Sequence, residues 1–165
     1  MKKLVLLAAA AGVIFAQDPL SKETKGLYTS VKTNIIKSAE KMPEANYSFK
    51  PSPDVRSYAQ LIGHVIDAQY MFCSAAKGEQ KASDAEKKLT KKADLEAALT
   101  AAFAYCDTAY DALTDAGGTK MMKFFGADRS VSGILNFNVA HDFEHYGNIV
   151  TYLRIKGIVP PSSAK

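Results

Sequence analysis

Two of the three histidines in this 165-residue chain, His141 and His145, stand four residues apart. On a helix that spacing places both imidazoles on one face, one turn apart, close enough to share a metal ion. The third, His64, lies far upstream, flanked at helical spacing by Leu61 and Ala68. Two imidazoles from one helix and one from another make a three-ligand set with positions left open for water or substrate. That is the arrangement a catalytic metal needs. Imidazole nitrogens suit Zn, Ni, Cu and Fe rather than Mg or Ca, and zinc or nickel is the expected divalent ion. Any one of these residues alone reads more simply as a core or boundary histidine. Their joint placement on inward faces is what points to a metal.

The residues around them bear on the same chemistry. His141-Asp142-Phe143-Glu144-His145 matches the inverted zinc-protease pattern, in which Glu144 would be the general base. Only 20 residues follow His145, too few for the downstream carboxylate ligand of that class, and Glu144 falls off the apolar stripe. It reads as a boundary carboxylate. Asp67, one turn after His64, is placed either to orient that imidazole or to make a helix-dipole contact. Cys73 follows His64 by nine residues and points to the opposite side of a helix, which argues against a thiolate ligand. Cys73 and Cys106 fit no zinc or redox spacing, but an oxidising compartment would allow them to pair.

Four windows of helical periodicity must position these groups, and no stretch shows convincing strand alternation. The first opens at Asp18-Pro19, an N-cap followed by Pro at the first helical position, and carries Leu20, Leu27, Val31, Ile35 and Met42. The second is expected to open at Ser52-Pro53 and run to Lys77, with Tyr58, Leu61, Val65, Ala68 and Phe72 as its stripe and Gly78 as its stop. The third opens near Thr90, carries Leu95, Leu99, Ala102, Cys106, Tyr110 and Leu113, and stops at Gly117-Gly118. The fourth runs from near Ser130 to Lys156, with Gly157 at its C-cap and Pro160-Pro161 beyond. Its stripe is apolar at both ends (Val131, Ile134, Ile149, Tyr152). Through its middle two turns it carries Asn138, His141 and His145, with Asp142 near the edge. Buried polar groups in a cluster must satisfy one another, hold water or hold an ion. Four helices with one apolar face each are expected to form an all-α four-helix bundle. Residues 78–90 read as a charged, mobile loop. Residues 117–129, with Met121, Met122, Phe124 and Phe125, read as a loop folded over a bundle end.

The first residues stand apart. Met1-Lys2-Lys3 is a cationic head, Leu4 to Phe15 is uncharged and apolar, and Ala16 is small. This is the layout of a secretory signal peptide over residues 1–16, with cleavage expected after Ala16. The apolar run is too short to span a bilayer, and no Cys follows it to carry a lipid. Residues 17–161 are read as one domain and 162–165 as a tail. The formal charge of +4 is too weak to argue for nucleic acid. The expectation is a secreted or periplasmic protein with no stable membrane anchor, acting on a small molecule of unknown identity, with a homodimer left open.

At the level of motifs, the run from Tyr47-Ser48-Phe49 through Ser57-Tyr58-Ala59-Gln60-Leu61-Ile62-Gly63-His64-Val65 resembles the second-helix signature of the DinB/YfiT-like superfamily. His141-Asp142-Phe143-Glu144-His145-Tyr146-Gly147-Asn148 resembles its fourth-helix signature, and Tyr152 to Pro161 its usual tail. The resemblance covers about residues 20–161. It implies a four-helix bundle with a divalent metal on His64, His141 and His145, and relatives that include thiol-dependent transferases and isomerases. An export signal departs from the cytosolic, thiol-using members. The reading is therefore a metal-dependent enzyme with a hydrolase or transferase reaction, the alternative being a non-catalytic metal-binding or structural bundle.

Overall fold

A computed structural model describes residues 18–164. The expected signal peptide, residues 1–16, lies outside them. Four long helices run as α1 (Pro19–Lys41), α2 (Tyr58–Lys77), α4 (Lys92–Asp111) and α5 (Val131–Ile155), with a four-residue helix, α3 (Ala85–Lys88), between α2 and α4. A two-stranded hairpin, β1 (Met121–Phe124) with β2 (Ala127–Ser130), precedes α5. Helix α2 packs on α4 and α5, and α1 closes the bundle against α5 and α4. The four-helix bundle is therefore the fold, and no helix among the described residues is long and apolar enough to cross a membrane.

The apolar stripes of α2 and α4 are buried as the periodicity demands: Tyr58, Leu61, Val65, Ala68 and Phe72 on one, Leu95, Leu99, Ala102, Cys106 and Tyr110 on the other. Cys73 and Cys106 form a disulfide that ties α2 to α4, with Cα atoms 5.3 Å apart. On α1 the stripe is rotated from the expected one. Leu20 and Leu27 are exposed, and Tyr28 is buried in their place with Val31, Ile35 and Ala39. A phenol is favoured there because it can bury its ring and still place its hydroxyl. The ring stacks on Tyr110 at 3.8 Å, and the hydroxyl donates to the Phe103 carbonyl and to Asp107. The side chain of Asp18 does not cap α1. Asp115 does so from across the bundle, accepting from the Ser21 amide at 2.7 Å.

Several boundaries differ from expectation, among them the end of α4, which stops at Asp111 rather than at Gly117-Gly118. Helix α2 starts at Tyr58, because Ser57 and Gln60 form a reciprocal capping box that outcompetes Ser52-Pro53. The charged segment 78–90 contains α3, held against α2 by side chains of that helix. Segment 117–129 holds a short 3-10 turn (Gly117–Thr119) and all but the last residue of the hairpin. Phe124 packs with Phe72, Ala68 and Ile134 over one flank of the bundle, while Met121 and Phe125 stay exposed. Its two-residue turn has φ +50° at Phe125 and +75° at Gly126. Such turns favour Asn-Gly, and a bulky side chain at the first position costs about 1–3 kcal/mol.

Candidate metal centre

The polar middle of α5 divides into two networks. Asn138 and Asp142 turn into the bundle. Asn138 donates from Nδ2 to Gln69 Oε1 and to the Tyr110 hydroxyl, both at 3.1 Å, and Gln69 Nε2 donates to Asp142 Oδ1 at 2.6 Å. Asp142 is thus fully buried rather than at the stripe's edge, and burial pushes its carboxyl well above the usual range against a smaller downward effect of Gln69. This network joins α2, α4 and α5, and it leaves Asn138 Oδ1 and Asp142 Oδ2 buried without a partner.

His141 and His145 turn to α2 and meet His64. His141 Nε2 lies 3.2 Å from His64 Nε2 and 3.0 Å from His145 Nε2. All three ligand atoms lie within 4.8 Å of one another. Nitrogens bound at 2.0–2.1 Å around a tetrahedral ion are about 3.3 Å apart, so the two close contacts need only a small opening. The structure brings together all three of the residues expected from sequence, and together they could hold a metal ion.

Proton bookkeeping supports the fit. With the His64 Nδ1–H donated to Glu86 Oε2 at 3.0 Å, the Nε2 of that ring presents a lone pair. His141 Nε2–H can then satisfy His64 or His145, not both. One close nitrogen pair is left without a hydrogen between its members, and a cation at the centre resolves all three. Burial, with the neighbouring histidines' charges, pushes both His141 and His145 down to about 4. Both rings are therefore neutral at physiological pH, the state that binds metal.

Glu86 was not foreseen, because it sits in the segment read as a mobile loop. Its carboxylate bridges His64 and Arg56, with Arg56 Nε at 2.9 Å from Oε1. Burial pushes this carboxyl up, but Arg56 and His64 outweigh it and hold it below the usual carboxylate range. Asp67, expected as one possible partner of His64, serves the same end indirectly. It accepts from the amides of Ala85 at 2.7 Å and Glu86 at 3.1 Å, capping the start of α3 from a neighbouring helix. The close approach depends on Gly63. A Cβ there would lie 2.5 Å from Glu86 Cα and 2.7 Å from its nitrogen. An isolated glycine inside α2, beside a histidine, was the available signal that another backbone lies against this turn. Glu144 is exposed, which fits a boundary carboxylate.

Comparison with known proteins agrees with the fold. A DinB-like protein from Bacillus cereus superposes with a TM-score of 0.74 at 16% identity, covering 85% of this chain and 95% of its own. A DinB-like protein from Bacillus subtilis gives 0.67 at 19%, covering 82% and 92%. The mycothiol-dependent maleylpyruvate isomerase gives 0.62 at 14%, covering 78% of this chain but 60% of the isomerase. No curated protein matches the sequence. The family profile described as the DinB superfamily matches residues 28–149, a span that contains all three histidines. The chain therefore belongs to the DinB superfamily.

Proposed function

We propose that this protein is an exported metal-dependent enzyme that holds zinc or nickel on His64, His141 and His145 and carries out a hydrolase or transferase reaction on a small substrate. The observation that carries the reading is the convergence of three imidazoles, one of them oriented by Glu86, at a position reached from solvent. Three protein ligands leave coordination positions open, whereas a closed structural site uses four. A divalent ion there supplies Lewis acidity toward a bound electrophile or water. The chain's own groups hold the site in order. Glu86 fixes the His64 tautomer, Arg56 keeps Glu86 ionised, and the ring of Phe72, centred 5.4 Å from that of His141, shields one side from water. Export is supported by the Cys73–Cys106 disulfide, which belongs to oxidising compartments. The structurally similar isomerase is by name mycothiol-dependent, and it lends weight to an enzymatic rather than a storage role.

The test measures metal content and turnover on one preparation. The protein is purified without chelator and assayed on activated esters, amides and thiol-plus-electrophile pairs, before and after chelation. About one zinc or nickel per chain is expected, with turnover lost on chelation, restored by the ion and absent in His145→Ala. A protein that holds its metal but turns over nothing on the panel would be the non-catalytic alternative.

A further inference from the structure

The flanks of the three-histidine cluster are unlike one another. Beside His145 opens a cavity of mixed lining that carries the charged Arg56 and Lys50 and the amide of Asn148. Beside His64 opens a second cavity of about 750 Å³, which Ala68, Met71, Ala75 and Phe124 line together with polar residues that include Asp67 and Lys81. The apolar surface continues past Phe124. The Phe125 ring lies 4.2 Å from that of Phe124 and 6.5 Å from that of Phe137, and Phe137 stands one helical turn before His141. Met71, Phe125 and Phe137 are exposed to solvent. Three exposed apolar side chains bordering a polar cluster are not needed by the core, which already contains Phe72 and Phe124.

The turn makes the same point independently. Phe125 occupies a left-handed position that Asn would take without strain. The residue is 67% exposed, so little folding energy returns for that strain. Strain held at the rim of a site is a mark of function rather than of packing.

The geometry points to a substrate class: a small molecule whose polar, metal-binding group carries an aromatic or bulky apolar substituent, seated against Met71 and Phe124 with Phe125 as the outer edge. This inference rests on the metal reading above and names which substituent the site accepts. The occupant is a small molecule because the cavity is bordered by His64, so what fills it reaches one of the metal ligands.

The test uses two probes with the same chelating group, acetohydroxamate and benzohydroxamate, titrated into protein loaded with one equivalent of zinc. Benzohydroxamate is expected to bind roughly ten- to a hundredfold more tightly, from burial of its ring. In Met71→Ser and in Phe125→Asn the preference is expected to shrink to about threefold or less. Phe125→Asn is expected to leave the melting temperature unchanged or raised, because Asn-Gly suits this turn; a merely structural role for Phe125 would lower it. Equal binding of the two probes overturns the apolar-pocket assignment and leaves the metal centre standing. Failure of either probe to bind, on a protein that takes up no zinc, overturns both. A preference that persists in both variants places the ring elsewhere and overturns the assignment. So does a concentration-dependent dimer that shows no preference, since a second copy then covers this surface.

Discussion

Substituting Gly63 by Ala adds one methyl group, and its effects on stability and on metal binding are expected to separate. The new Cβ would lie 2.5 Å from Glu86 Cα, 2.7 Å from Glu86 N and 2.9 Å from the Ala85 carbonyl carbon. These are backbone atoms and no rotamer change relieves them, so α3 must retreat by about 1 Å to reach ordinary contact. Retreat stretches the Asp67 contacts to the α3 amides, now 2.7 and 3.1 Å, and the 3.0 Å contact between Glu86 and His64. Overpacking costs about 1–3 kcal/mol, while Ala in place of Gly in a helix returns about 1 kcal/mol. The net loss is about 0–2 kcal/mol, a fall of at most roughly 8 °C in a chain of this size. Loss of the partner that orients a metal-binding histidine weakens affinity about ten- to a hundredfold. Zinc competition against a chelating indicator therefore reads the effect more sharply than thermal melting, and circular dichroism confirms that the helices remain. Glu86→Gln, which removes the charge without the clash, is expected to weaken zinc binding similarly with less change in melting. Unchanged affinity in both variants, with Gly63→Ala simply more stable, would refute the role assigned to α3.

The remaining predictions concern pH, the disulfide and the N-terminus. His141 and His145 are held at about 4 in the folded protein, below the ordinary 6.5. The unfolded chain therefore takes up protons that these rings refuse in the folded chain, so their contribution to metal-free stability is full above about pH 6.5 and declines as pH falls toward 4, against the opposite trend of the buried Asp142 carboxyl; thermal melts across that range, compared with a protein in which both rings are replaced, check it, and identical profiles contradict it. Replacing Cys73 and Cys106 by Ala opens a 33-residue separation and is expected to cost about 2–4 kcal/mol in denaturant unfolding. Zinc uptake should not change, and its loss with the helices intact would show a misplaced ligand. Mass spectrometry of the exported protein should find Gln17 as its first residue; an intact Met1 would contradict the signal-peptide reading.

Much of this was legible because helical periodicity and histidine spacing are local signals. The i, i+4 pair on α5 and the stripes of α2 and α4 required only correct helices. What escaped depends on contacts remote in sequence. Leu27 looked like core because hydrophobicity was counted, whereas Tyr28 is buried because Phe103 and Asp107 receive its hydroxyl. Glu86 was lost in a charged segment, since α3 is too short for a periodic signal and is built by Asp67 and Gly63 on another helix. The hairpin was read as a loop because four-residue strands, one of them mostly exposed, scarcely alternate. Asn138 and Asp142 shared the histidines' stretch of helix, and only Gln69 and Tyr110 decide that they face away from the site.

The central claim, one divalent ion on three imidazoles, is tested most directly by crystals of the mature protein grown with zinc, with data collected on both sides of the zinc absorption edge. The account predicts one strong anomalous peak per chain, about 2.0–2.1 Å from a ring nitrogen of each of His64, His141 and His145, with Glu86 still on the far nitrogen of His64. A cluster that stays empty at saturating zinc, or a peak bound by other residues, would contradict it.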